Sequence, residues 1–175
     1  SNHYVSGSTV VVAAGNIKHK ELSHLTRTLA KRIPKGSLSK WFPAIQKQTI
    51  PKVCLFTRDI EQTQLALGIR TCSRHDPRRF ALRLLNTLLG ENMSSRLFRS
   101  IREEHGLAYN IYSTPNFYHD TGSLTIAAGL DTAKTEKALK LTIEELKKLR
   151  NRAPSAGELR RSRDYLIGQL ELSLE

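Results

Sequence analysis

The stretch RLFRSIREEHGLAYNIYS, residues 96–113, changes its hydrophobic period at a glycine. Before Gly106 the pattern is that of a charged helix with Leu97, Phe98 and Ile101 on one side. After Gly106 the pattern alternates as a strand does. Because glycine readily adopts a positive φ, the chain can reverse sharply at this point. The stretch therefore predicts a helix, a tight reversal and a strand in direct succession.

A second strand follows closely. LAYNIYSTP leads into the turn-like segment NFYHDTG and then into GSLTIAAGL, which together predict a β-hairpin. The alternation predicts one face with Leu107, Tyr109 and Ile111 and the other face with Ala108, Asn110 and Tyr112.

Upstream of this unit, local signals predict further strands and helices. The β-branched run STVVVAAG predicts a buried strand over roughly Thr9 to Ala14, and leucines at helical spacing predict a helix from about Lys18 to the PKG at residues 34–36. KVCLFTR and QTQLALGIR are predicted to be neighbouring strands. A helix is then expected from Asp76–Pro77 to Gly90.

Two helices are predicted after the hairpin, over roughly Thr132 to Arg150 and from Ser155 to the end, the second opened by the capping box SAGE. The order of elements favours an α+β, two-layer domain, with a mixed, mainly antiparallel sheet and helices packed on one face. A doubly wound parallel sheet fits less well, because two pairs of strands have connections too short for a crossover helix.

Composition narrows the classes of function. The chain has 175 residues, a net charge of +12 and 6% aromatic residues, and its basic residues are dispersed over predicted helix faces. A solvated basic surface and no nucleic-acid partner are therefore expected, with nucleic-acid binding through the +12 charge as an alternative hypothesis. No apolar run approaches the roughly 20 residues of a membrane span. Cys54 and Cys72 are predicted to be reduced core residues, with one disulfide as the alternative.

No catalytic or metal-binding residue is predicted from pattern alone. His19 and His24 in HKELSH are five positions apart, so a helix separates them in angle, unlike the paired histidines of HExxH or HxxEH. Phosphate-binding glycine loops and nucleophile elbows are also missing from the sequence. The pattern alone therefore indicates an α+β domain with no visible catalytic centre.

A resemblance adds to this interpretation. LLNTLLGENMSSRLFRSIREEHGLAYNIYS, together with DIEQTQLALGIR, DTGSLTIAAGLD and LRRSRDYLIGQLELSLE, resembles the pitrilysin/insulinase family of zinc metallopeptidases, which includes the mitochondrial processing peptidases. The similarity is to the second, C-terminal type of domain in that family. It implies a LuxS/processing-peptidase-like fold, and it implies that residues 1–175 are one such domain, expected to be a fragment of a longer two-domain chain.

In that family the N-terminal type of domain carries an HxxEH motif that binds zinc. This chain has no HxxEH, so the resemblance implies that a partner domain, in the same chain or a separate subunit, holds zinc, and that this segment is inactive alone. The implied substrate is a peptide, the implied partners include a possible dimer, and the implied compartment is the bacterial cytoplasm or periplasm, or the mitochondrion. A non-catalytic scaffold or assembly subunit of the same fold is the alternative.

The resemblance also assigns substrate-binding residues. An arginine and a tyrosine seven positions later contact the bound peptide in family members, and Arg102 and Tyr109 have that spacing. Arginine offers several charged donors and tyrosine one neutral donor, which suits peptide carbonyls and a developing oxyanion. The alternative is that Arg102 pairs with a neighbouring glutamate and Tyr109 is a half-buried strand residue. Asn92, Ser94 and Ser95 are weaker candidates, because helix capping also explains them.

Overall fold

The computed structural model describes residues 3–37, 40–45 and 47–174 of the chain. Contacts divide the chain into two compact units, Ser1–Pro43 and Ala44–Glu175. In the first unit, a short 3₁₀ turn at Ser6–Ser8 precedes helix α1, His19–Ala30. The predicted helix is confirmed, but it ends at Ala30, before the PKG at residues 34–36 that the sequence indicated as its stop.

The predicted strand over Thr9 to Ala14 is wrong. These residues adopt no regular secondary structure, and Val10 and Val12 are 85% and 84% exposed. The β-branched run has strand propensity, but a strand also needs a neighbour to take its backbone hydrogen bonds, and no strand among the described residues pairs with this run. The predicted strand KVCLFTR of the second unit fails for the same reason, since Val53 and Leu55 lie exposed in irregular backbone.

The second unit is built on a three-stranded sheet with strands β1 (Thr63–Thr71), β2 (Ala108–Phe117) and β3 (Gly122–Leu130). The order is β1-β3-β2, and both pairings are antiparallel. The hairpin predicted around NFYHDTG is confirmed, and Tyr118 N donates to Thr121 O within its turn.

Helices cover one face of this sheet. They are α2 (Arg79–Asn86), α3 (Thr135–Asn151) and α4 (Ala156–Leu172), with π-helical segments at Thr87–Glu91 and Phe98–Glu104 and a 3₁₀ turn at Thr132–Lys134. The predicted capping box at the start of α4 is confirmed, because Ser155 and Glu158 satisfy each other's backbone amides. The predicted α+β class is likewise confirmed.

The core lies between the sheet and the helices. Its buried members include the following residues: Leu89, Leu97, Ile101, Leu124, Ile126 and Leu130. On the opposite face of the sheet the side chains are small or polar and more exposed, as at Gln64, Ala66 and Thr114. The helix that carries Arg102 is therefore anchored to the sheet by Leu97 and Ile101, which are both 0% exposed.

The cysteine prediction is partly wrong. Cys54 and Cys72 are both free thiols, but Cys54 is exposed and Cys72 is half-buried, so neither is a fully buried core residue. Cys54 belongs to the KVCLFTR segment, which is exposed and pairs with no strand in the part of the chain that the structure describes.

Candidate functional site

Arg102 and Tyr109 lie close together. The Arg102 guanidinium carbon is 6.0 Å from the centre of the Tyr109 ring and 4.8 Å from the centre of the Phe98 ring. These are distances at which a cation is attracted to an aromatic face. Arg102 is exposed, and Tyr109 is 76% exposed. The two side chains thus share one solvent-facing site.

The reversal between them depends on Gly106. Its φ is +57°, in the left-handed region that favours glycine. The amide of Gly106 donates to Arg102 O at 3.2 Å, and the amide of Leu107 donates to Ile101 O at 2.9 Å, which closes the helix end. Ile101 and Leu107 are buried, so the helix end and the strand start are held against one core.

Tyr109 occupies a β-bulge. Ala108 pairs with Leu130 and Asn110 pairs with Gly129, so Tyr109 is an extra residue on β2 without an opposite neighbour. The predicted alternation, with Tyr109 on the face of Ile111, is therefore wrong. The bulge shifts the register by one, so that Ala108 and Ile111 are buried while Tyr109 and Asn110 are exposed.

Arg102 does not form the ion pair that the alternative interpretation requires. In the described part of the chain no carboxylate forms a salt bridge with its guanidinium. Its guanidinium lies near the rings of Phe98 and Tyr109 instead, and Tyr109 is exposed rather than half-buried. Among the described residues, the donors of both side chains form no hydrogen bond with another protein group.

Of the three weaker candidates, Asn92 accepts a hydrogen bond ahead of the helix, and no capping bond to the side chain of Ser94 or Ser95 is found among the described residues. Asn92 Oδ1 accepts from Ser94 N at 2.9 Å, and Asn92 O accepts from Ser95 N at 3.0 Å. Ser95 is 2% exposed, and its hydroxyl has no hydrogen-bond partner among the described residues, whereas Ser94 is exposed. The geometry of Asn92 is that of a capping residue.

Tyr109 also lines an open recess of about 440 Å³ at the end of the sheet, together with Gly106, Gly129 and Lys134. Two larger cavities, of about 800 and 790 Å³, both touch Arg96 and Glu158 and include neither Arg102 nor Tyr109. The recess therefore adjoins the Tyr109 side of the candidate site.

The sequence did not predict two features of the site. The sequence pattern places Phe98 on the buried side of its helix. However, Phe98 lies four residues before Arg102, and residues at that spacing are neighbours on a helix surface. The bulge at Tyr109 left no recognisable signal, because it depends on pairing with β3.

The described residues do not fit a zinc ion. Within residues 3–37, 40–45 and 47–174 no group of three or more histidine, cysteine, aspartate or glutamate side chains could hold a metal. Over the same residues, none of the helices combines the length and apolar character needed to cross a bilayer.

Comparison with known proteins identifies the family. The model described as "Peptidase M16 inactive domain" matches residues 1–166. The chain belongs to the peptidase M16 family, as its inactive domain. This confirms the sequence resemblance to the C-terminal, non-zinc type of domain.

Relatives of this M16 domain are named zinc proteases. An uncharacterized zinc protease of Mycobacterium tuberculosis is 35% identical over 178 residues, and the match covers 98% of the chain and 40% of the relative. The uncharacterized zinc protease YmxG of Bacillus subtilis is 31% identical over 177 residues, with 99% and 42% covered. The M16 domain thus spans about two-fifths of the length of the relatives it matches.

A solved structure supports the fold. The crystal structure of a peptidase M16 inactive domain from Pseudomonas fluorescens has a TM-score of 0.73 and 25% identity. The match covers 94% of this chain and 40% of that chain.

Proposed function

We propose that this M16 domain is the peptide-binding, non-metal half of a zinc metallopeptidase. Arg102 and Tyr109 bind the backbone of a peptide substrate and complete the active site of an HxxEH-bearing domain. That domain belongs to the same chain or to another subunit, and it holds the zinc ion. The observation that carries the proposal is the 6.0 Å approach of the exposed Arg102 guanidinium to the exposed Tyr109 ring.

The chemistry of the pair suits a peptide. The guanidinium is a permanent cation with five N–H donors, and the phenol adds a neutral O–H donor. Donors held in place before the substrate arrives can stabilise the negative charge that develops on a carbonyl oxygen during hydrolysis. The buried anchors Ile101 and Leu107 supply that rigidity, because they fix the backbone on both sides of the reversal.

Zinc and its bound water belong to the other domain in this proposal. The metal activates water there, while this domain holds the peptide in position for attack. The M16 domain by itself is expected to cleave no peptide.

The test uses the complete protein, with its HxxEH-bearing domain, and a peptide-cleavage assay. Arg102→Ala is expected to lower kcat/KM by about 100-fold, in the range measured for loss of one oxyanion donor. Tyr109→Phe removes only the hydroxyl and is expected to lower it by about tenfold.

Two matched controls are available on the same elements. Arg99 is an exposed arginine one turn before Arg102, and Tyr112 is an exposed tyrosine on β2. Arg99→Ala and Tyr112→Phe are expected to leave turnover near that of the wild type. Unchanged turnover in both Arg102→Ala and Tyr109→Phe would refute the proposal.

A further inference from the structure

Asn110 is the residue that joins the bulge at Tyr109 to the neighbouring strand. The amide of Gly129 on β3 donates to Asn110 Oδ1 at 2.8 Å. At this point of the ladder between β2 and β3, a side-chain oxygen accepts from the sheet amide. The bond lies one residue beyond Tyr109, at the pair that resumes the register after the bulge.

Gly129 leaves space for this contact. A Cβ at position 129 would lie 2.7 Å from Asn110 Oδ1 and 3.0 Å from Gln62 Oε1. Both distances are shorter than ordinary van der Waals contact. Because Gly129 has no side chain, the Asn110 side chain can lie over β3 at this position and reach the Gly129 amide.

Register alone does not determine where the Tyr109 ring points. Burial of Ile111, which is 5% exposed, keeps β2 from slipping by one residue, because a slip would carry Ile111 to the open face. The bulged residue itself has no opposite partner on β3. The bond from Gly129 holds the next residue, and so it restricts the peptide that links Tyr109 to Asn110.

We infer that Asn110 is a positioning residue for Tyr109: its bond to Gly129 holds the bulge in the conformation that directs the Tyr109 ring towards Arg102. Asn110 makes no contact with substrate in this inference and acts only through Tyr109. The inference rests on the proposed function for its catalytic readout. It has a second readout, the protection of the Gly129 amide, which does not depend on catalysis.

The experiment compares Asn110→Ala with Asn110→Asp in the complete protein. Aspartate keeps an acceptor oxygen at the same position, whereas alanine removes it. Asn110→Ala is expected to lower kcat by about fivefold to tenfold with a smaller change in KM, and to speed hydrogen exchange in the peptide that contains Gly129. Asn110→Asp is expected to keep kcat and the hydrogen exchange of the Gly129 peptide close to those of the wild type. Asn116→Ala, which alters an asparagine at a regular position of β2, is the control and is expected to change neither.

A double variant shows whether Asn110 acts through Tyr109. In the Tyr109→Phe background, Asn110→Ala is expected to cause no further loss of kcat, because the group that it positions is already removed. An equal further loss would overturn the inference, as would wild-type kcat in Asn110→Ala. Unchanged turnover in both Arg102→Ala and Tyr109→Phe would refute the proposed function. That result differs from wild-type kcat in Asn110→Ala alone, which would refute only the role of Asn110.

Discussion

Arg96 on the helix that leads to Arg102 pairs with Glu158 on α4. Arg96 Nε and Nη2 each lie 2.9 Å from Glu158 Oε1, and the two side chains are 21% and 25% exposed. The other carboxylate oxygen, Oε2, accepts from the amide of Ser155 at 2.9 Å. One carboxylate therefore caps α4 and ties it to the helix that carries the candidate site.

The first prediction concerns this carboxylate and pH. Hydrogen bonds from Arg96 and from the Ser155 amide lower the pKa of Glu158 from 4.5 to about 2. Because the folded state has the lower pKa, the stabilisation is fully present above about pH 4.5 and is lost as the pH falls towards 2. Glu158→Gln is expected to reduce the free energy of unfolding at pH 7 by about 1 to 2 kcal/mol, after allowance for solvent screening.

Urea unfolding of both proteins at pH 7, 4 and 3 measures this difference. Glutamine keeps one acceptor oxygen for the Ser155 amide but replaces the oxygen that accepts from Arg96 by an NH2 group, so the variant removes the charge together with the bonds from Arg96. The gap between wild type and variant is expected to shrink as the pH falls. A gap that stays constant over that range would contradict the assignment.

The second prediction concerns the reversal at Gly106. Gly106→Ala is expected to destabilise the protein by about 1 to 2 kcal/mol, because its φ of +57° strains any residue with a Cβ. Gly106→Asn is expected to cost about half as much, since asparagine tolerates this region better. Thermal unfolding measures both variants.

Gly168→Ala is the control for Gly106. Gly168 lies inside α4, and an added Cβ there would meet nothing within 4 Å. Alanine at this position is expected to stabilise the helix by about 0.5 to 1 kcal/mol. If Gly106→Ala unfolded at the wild-type temperature, backbone strain would not be the reason for glycine at this position.

The third prediction concerns a buried polar cluster beneath β2. Ser113 Oγ donates to Asn86 Oδ1 at 2.7 Å, and these residues are 3% and 1% exposed. Asn86 Nδ2 and Thr87 Oγ1 in turn donate to Glu91 Oε2. Ser113→Ala is expected to lower the free energy of unfolding by about 1 to 3 kcal/mol, because it leaves the buried Asn86 oxygen without its donor.

Chemical denaturation of Ser113→Ala beside Thr114→Ala provides the measurement. Thr114 is the exposed neighbour on the opposite face of β2, and its replacement is expected to change stability by less than about 0.5 kcal/mol. Equal effects of the two substitutions would show that the cluster contributes no more than an exposed strand position.

Helix ends could be predicted because their signals are local. Ser155 and Glu158 form both halves of the capping box that SAGE predicts, and Gly106 has the positive φ that its place after a charged helix suggests. In each case the interacting groups lie within a few residues of one another, so the local sequence is sufficient to predict the interaction.

Strand pairing could not be predicted in the same way. Residues 9–14 and 52–58 have the composition of strands and form none, whereas QTQLALGIR, with a similar signal, becomes β1 because β3 is its neighbour. A strand depends on a partner that is distant in sequence, so its own composition is not sufficient.

The sequence by itself determined the order of helices and hairpin in the second unit, the family, and the seven-residue spacing of Arg102 and Tyr109. Only the tertiary structure decided that Tyr109 is a bulged residue and that Asn110 bonds to Gly129. The physical reason is that the bulge depends on the register between β2 and β3. That register is held by the burial of Ile111 on β2, in a core built from distant parts of the chain.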